Sequence, residues 1–289
     1  MISKSTLLHL RIPFSLFLLP FFLFAISQAE QLHWPNLVLS FIIIHLLFYP
    51  CSNGFNSYYD KDEDSIGGLK HPPKVQKELL WVSLALFALS LLLSLLVRWE
   101  FALMIFFIGL ASKAYSHPAI RLKKFPFLGL LVVALFQGSY TFLMSLLAIN
   151  NHEFAGILSS KHLFASSLCS IMLLGSYPMT QIYQHKEDAR RGDVTISRIL
   201  GVRGTFIWTG IVFMMSTSGF IWYFSLYADV LAIGVFLILL VPTLLYFFRW
   251  AWFCFSGKRA VCYEFVMRLN LLSSLAFILF FIFLILRKL

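Results

Sequence analysis

NSYYDKDED, residues 56–64, closes the second long apolar run of a 289-residue chain and sets Asn56, Asp60 and Asp64 four apart. On a helix each such step advances about 40°, so these three side chains share one face and Asp62 falls nearly opposite. A second polar stretch, QIYQHKEDARRGD, residues 181–193, closes a later apolar run with Gln184 and Asp188 again four apart. The chain holds 13 Asp and Glu, and eight of them (Asp60, Asp62, Glu63, Asp64, Glu78, Glu187, Asp188, Asp193) lie in these two stretches and their borders. Carboxylates are costly beside hydrocarbon, so collecting them at two helix ends points to a bound cation.

The surrounding composition fixes the class. Hydrophobic residues make up 60% of the chain and charged ones 12%, with a mean hydropathy of +0.83. A soluble domain carries about 25% charge. Apolar runs can be placed at Ile12–Ile26, Leu37–Cys51, Leu79–Val97, Phe101–Tyr115, Phe127–Ile149, Leu163–Tyr183, Phe206–Trp222, Val230–Phe248 and Leu269–Leu286. Each approaches the roughly 20 residues that cross a hydrocarbon core. The expectation is an all-α, polytopic membrane protein of nine spans in one transmembrane domain, residues 1–289. The third and fourth runs, parted only by Arg98-Trp99-Glu100, form a tight antiparallel hairpin. Lys4 and Ser27-Gln28-Ala29 imitate a cleavable leader, but Arg11, Pro13 and Pro20 interrupt its core, so it reads as a retained first helix.

With the N-terminus inside, the inner segments carry Lys4, Arg11, Lys61, Lys70, Lys74, Lys77, Lys113, Arg121, Lys123, Lys124, Lys186, Arg190, Arg191, Arg198, Arg203, Arg249, Lys258, Arg259 and Arg268. That is 19 of the 23 Lys and Arg; Arg98, Lys161, Arg287 and Lys288 are outside. The bias predicts N-in and C-out, with both acidic clusters facing the cytoplasm. It also accounts for the +10 net charge without a nucleic-acid partner. Cys51, Cys169, Cys254 and Cys262 show no metal-binding or redox spacing and read as buried thiols. The 32 Phe and 7 Trp read mainly as lipid-facing bulk and interfacial belts.

An amide and two carboxylates on one helix face suit Mg²⁺, a hard cation that completes its shell with water and phosphate oxygens. Two such faces on neighbouring helices would hold metal against a diphosphate. Arg11, Lys70, Lys113, Arg121, Lys123, Arg190 and Arg191 are the cations available to its oxygens, or else anchors for lipid headgroups. Asp60-Lys-Asp62-Glu-Asp64 also copies the start of an EF-hand, but Ser65 stands where Gly is needed and His71 where Glu is needed. His71, His117 and His185 lack the spacing of a zinc site. The D-G-x-x-A-R signature of CDP-alcohol phosphotransferases is absent.

On these residues the chain resembles the UbiA superfamily of intramembrane prenyltransferases. Asn56, Asp60 and Asp64 match its first motif, N-x-x-x-D-x-x-x-D. In the second, D-x-x-x-D, Asp188 matches and Gln184 replaces the first aspartate. Gly192-Asp-Val-Thr195 through Leu200-Gly201 resembles the tail after that motif, and Tyr115-Ser116 leading to Arg121-Leu122-Lys123 resembles a diphosphate-binding loop. Arg11 matches a basic position in the first helix. Gly67-Gly68-Leu69-Lys70-His71-Pro72-Pro73 departs from an Arg-Pro-containing stretch.

The resemblance implies a helical bundle around a lipid-open cavity in a bacterial inner membrane, opening to the cytoplasm. It implies Mg²⁺ held by Asn56, Asp60, Asp64, Gln184 and Asp188, with Asp60, Asp64 and Asp188 catalytic. Arg11, Lys70, Lys113, Tyr115, Ser116, Arg121 and Lys123 would bind an isoprenyl diphosphate, whose prenyl group passes to an aromatic or other lipophilic acceptor, as in quinone biosynthesis. The competing readings are a non-catalytic transporter or scaffold on the same fold, and transfer to a non-aromatic lipid.

Overall fold

The computed structural model describes residues 2–150, 154–258 and 261–288, so Arg259, counted above among the inner cations, lies outside the described residues. Its helical elements are α1 (Lys4–Gln28), α2 (Trp34–Asp60), α3 (Glu78–Val97), α4 (Trp99–Ser116), α5 (Pro126–Ile149), α6 (Ser160–Gln181), the short α7 (His185–Arg191), α8 (Ile196–Tyr227), α9 (Val230–Phe255) and α10 (Tyr263–Lys288). Eight of these are long and apolar enough to cross a membrane; α4, with 18 residues, is diluted by Glu100 and Lys113. The chain is an integral, multi-pass membrane protein.

Neighbours in space run α1 to α2, α2 to α3, α3 to α4, α4 to α5, α5 to α6, α6 to α8, α8 to α9, α9 to α10 and back to α1. The ring encloses a cavity. Leu92, Leu95 and Leu96 of α3 and Ile238 and Leu245 of α9 point outward and are more than half exposed, the pattern of a lipid-facing surface. Away from the acidic helix ends the bundle is sealed by rings. Phe24 stacks on Phe281 with centroids 4.6 Å apart, and Phe220, Phe224, Phe236 and Phe280 pack around them. The hairpin of α3 and α4 turns at an extended Arg98, whose guanidinium pairs with Glu100 at 3.1 Å.

Several helices are broken where the sequence reads as continuous. Arg11 is left-handed (φ 48°) and is followed by a 3₁₀ segment, Ile12–Leu18, containing Pro13. Proline disfavours the α region in the residue before it, so the helix must re-form further on. In α2, Ile42–Phe48 is π-helical, and in α5, Ala134–Tyr140 is too. Tyr49 and Thr141, each just past a π segment, hydrogen-bond across the bundle at 3.1 Å. Gly192 (φ 73°) ends α7 in the left-handed cap that glycine adopts without a Cβ clash. Gly201 (φ 65°, ψ 178°) breaks α8 in a region open essentially to glycine alone.

Helices α5 and α6 approach closely where Ser139 Oγ donates to the Ser166 carbonyl at 2.9 Å. A Cβ on Gly138 would stand 2.8 Å from the Ser170 Cα, a contact with backbone that cannot rotate away. Gly138→Ala is therefore expected to lower stability by about 1–3 kcal/mol through overpacking. Thermal unfolding in detergent checks this, with Gly234→Ala as the control, because a Cβ there meets nothing within 4 Å.

Candidate active site

A cavity of about 350 Å³ runs into the bundle from the ends of α2, α4 and α6. Its charged lining is Arg11, Asp60, Asp62, Lys123, Asp188, Arg191 and Asp193. Farther in, the wall becomes Phe17, Phe21, Phe48, Phe136, Phe213 and Phe277, with Tyr49, Gln137, Thr243 and Asn270 among them. One end therefore suits an anion with its counter-ions, and the other a hydrocarbon.

The charged end is assembled by helix termini. Asp60 is the last residue of α2, where its side chain is 5% exposed and meets both Lys123 and, at 3.4 Å, Arg121. Arg121 forks onto Asp193 with Nε–Oδ1 2.9 Å and Nη2–Oδ2 2.7 Å, and that hydrogen bonding raises the guanidinium's pKa. Asp188, in the first turn of α7, accepts from Thr195 Oγ1 at 3.2 Å, and burial pushes its carboxyl up to about 6. Asn56 donates to Ser116 Oγ at 3.0 Å, and Tyr115 is hydrogen-bonded to Tyr177. Arg11 reaches inward because of the break in α1; its guanidinium donates to the Gly67 carbonyl at 3.1 Å and to that of Asn53 at 3.2 Å.

Asn56, Asp60, Gln184, Asp188, Arg11, Tyr115, Ser116 and Lys123 all line this cavity, and Arg121 stands behind it, bonded to two of its carboxylates. Four residues named from the sequence, Asp64, Lys70, Lys113 and Arg190, fall elsewhere. The shared face of residues 56, 60 and 64 ends early: α2 stops at Asp60, Lys61 turns left-handed (φ 50°), and the helical spacing no longer applies. Asp64 is 60% exposed outside the cavity and pairs with Arg190 at 3.0 Å. Asp62, expected opposite, is instead turned in, with its side chain 7% exposed and 2.5 Å from Arg191. Burial first, and then the charge of Asp60, raise its pKa.

Lys70 is bound to Glu264 at 2.5 Å on the surface. Lys113 lies over the Phe87 ring, 4.1 Å from its centroid. On α4 the cavity face is Ile108, Ala111, Ser112 and Tyr115, and residue 113 is rotated about 100° from Ser112. Among the lining residues that spacing did not single out are Asp62, Asp193, Tyr177 and Gln181. Spacing could not have found Gln181, because its helix ends there and the one carrying Asp188 starts only at His185.

All the side chains that could face a metal here are oxygen donors, the set that suits a hard divalent cation. Among the described residues, no three His, Cys, Asp or Glu side chains converge as a ready-made metal cage. Lys123, Arg121 and Arg191 occupy Asp60, Asp193 and Asp62 instead, and Thr195 holds Asp188. That fits Mg²⁺, which uses one or two carboxylates with waters and substrate phosphates, and does not fit a preformed protein cage.

Fold and cavity together define a polytopic helical bundle with a charged mouth above an aromatic chamber. The UbiA prenyltransferase family model matches residues 16–285, and the chain belongs to that family. Among solved structures it is similar to a UbiA homolog from Archaeoglobus fulgidus bound to GPP and Mg²⁺, with TM-score 0.70 and 19% identity over 98% of this chain and 99% of that one. The homolog bound to DMAPP and Mg²⁺ gives the same values. A structure described for digeranylgeranylglyceryl phosphate synthase in membranes gives TM-score 0.63 and 15% identity over 99% of both chains. At these identities the likeness is one of fold. Comparison with curated proteins gives no significant match.

Asp193→Asn would leave Arg121 with half of its carboxylate pairing in a site where Asp193 is 4% exposed. The expected loss is on the order of 3 kcal/mol, the cost of breaking a buried pair on one side. Unfolding of the purified protein checks this, and Arg190→Gln, whose side chain is 57% exposed, is expected to change stability by less than about 1 kcal/mol.

Proposed function

We propose that this protein transfers an isoprenyl group from a prenyl diphosphate to a lipophilic acceptor within the membrane, with Mg²⁺, releasing diphosphate. The observation that carries this is the division of one cavity into a mouth of paired charges and an aromatic chamber. In this reading Asn56, Asp60 and Asp188 face the metal and Gln184 borders it, while Asp64, outside the cavity, takes no direct part. Mg²⁺ supplies charge neutralisation for the leaving diphosphate.

The protein's own groups do the rest. Lys123, Arg191 and Arg11 meet diphosphate oxygens directly, and Tyr115 and Ser116 supply hydroxyls beside them. Arg121 holds Asp60 and Asp193 in place from behind. As the allylic C–O bond lengthens, these fixed cations stabilise the growing negative charge on oxygen. The prenyl chain lies in the chamber, where the faces of Phe17, Phe21 and Phe136 favour a developing allylic cation and exclude water. Lys70 and Lys113 take no direct part. The positive-inside count supports a mouth on the cytoplasmic side, and in this reading the membrane is a bacterial inner membrane. The gathering of the charged lining at helix ends on one side of the bundle favours an enzyme over a transporter.

Asp60→Ala and Lys123→Ala are each expected to lower Mg²⁺-dependent consumption of a prenyl diphosphate by at least about a hundredfold, the scale of losing one transition-state charge contact. Lys70→Ala and Lys113→Gln should stay within about twofold, since neither side chain meets the cavity. Diphosphate release by purified protein given geranylgeranyl or farnesyl diphosphate is the measurement. Full activity in Asp60→Ala would refute the assignment.

A further inference from the structure

Gln184 and Asp62 are coupled through one loop. The Gln184 amide Nε2 donates to the Ser65 carbonyl at 3.2 Å, and Arg11 donates to the Gly67 carbonyl at 3.1 Å. Between them Ile66 is 3% exposed and lines the cavity, and a tight turn pairs Ile66 with Leu69 over Gly68 (φ 83°). Gly67 has no room for a Cβ, which would stand 2.6 Å from the Phe14 ring. The loop after α2 is thus pinned across the mouth at three successive residues, and the pinning carries Asp62 inward while Asp64, two residues on, faces out.

Asp62 is placed as a ligand would be. Its side chain is 7% exposed, it lines the same cavity as Asp60 and Asp188, and its present counter-ion, Arg191, has a second carboxylate, Glu187, at 2.6 Å. Arg191 can therefore release Asp62 and stay paired. A second feature of the cavity points to a ligand independently: Gln181, 7% exposed and part of the lining, has its amide oxygen buried without a hydrogen-bond partner. A buried amide oxygen left unpaired is destabilising, a cost that a metal-bound water or the metal itself would remove.

Resting on the metal–diphosphate reading above, we propose that Asp62 is a metal-ligating carboxylate of this site and that Gln184 is a positioning residue holding the Asp62 loop over the mouth. The charge that residue 184 does not supply comes from the loop that residue 184 anchors. A carboxylate at 184 would face the Ser65 carbonyl with no proton to donate, so the two arrangements exclude each other: an acid at 184, or a pinned loop with the acid at 62.

The test is Mn²⁺ binding to the full-length protein in detergent with inorganic pyrophosphate, read by electron paramagnetic resonance, with size-exclusion profiles confirming folded protein. Asp62→Asn is expected to weaken Mn²⁺ binding by about tenfold or more, as loss of a ligand charge does, and Asp64→Asn by less than about threefold. Gln184→Met, which keeps the length and removes the N–H, should weaken binding by about tenfold, as loss of a supporting hydrogen bond does. Asp62→Asn combined with Gln184→Asp should regain most of the lost affinity, which a merely structural role for either residue would not produce. Wild-type binding in Asp62→Asn alongside loss in Asp60→Asn would overturn this inference and leave the function standing. Wild-type binding in both variants, or no Mn²⁺ binding by the wild type, would overturn both.

Discussion

Charge neutralisation at the edge of a hydrocarbon core is the constraint on which this structure depends. Three cations and four carboxylates line the mouth of the cavity, and Arg121, bonded to Asp60 and Asp193, makes the set four against four. At an effective dielectric near 20, opposite charges 4 Å apart attract by about 4 kcal/mol, enough to offset much of the desolvation of partly buried groups. Each helix end at the mouth is set by this requirement. The break at Arg11, the stop at Asp60, and the Gly192 cap that returns the chain toward Thr195 each place one member of the network.

The same balance explains why an assembled site has no metal cage of its own. Asp60, Asp62 and Asp193 are already paired with Lys123, Arg121 and Arg191, so a divalent cation arriving alone would displace those partners without satisfying them. A cation arriving with a diphosphate supplies both signs at once: the metal takes the carboxylates, and the phosphate oxygens take the lysine and arginines. On the proposed function, the network would favour the pair over either component.

Much of this was legible in the sequence, and what was not depends on where helices end, which face they turn inward and how they pack. The long apolar runs mark the helices because span length is fixed by bilayer thickness, and the α3–α4 hairpin follows from the three residues between its runs. Asn56, Asp60 and Asp188 were legible because each lies on a helix, or at its end, where a spacing of four keeps one face. Asp64 failed because that rule was carried past a helix terminus. Lys61 takes a left-handed conformation open to few side chains, and no local signal announced it. Lys113 failed for the complementary reason: it lies on a helix, but its neighbours Ser112 and Tyr115 define a different face. The π segments of α2 and α5 were hidden too, since IIIHLLF and ALFQGSY read as ordinary helix. Their consequence is the Tyr49–Thr141 contact, which depends on packing between segments 92 residues apart.

The account turns on where the diphosphate and its metal sit. A structure of the protein with Mn²⁺ and an unreactive prenyl thiolodiphosphate, with manganese located by anomalous scattering, tests this most directly. The account predicts manganese within the mouth between Asp60 and Asp188, the diphosphate against Lys123 and Arg191, and the prenyl chain running toward Phe136 and Phe277. Manganese outside the cavity, or a diphosphate bound at Lys70 or Lys113, would contradict it.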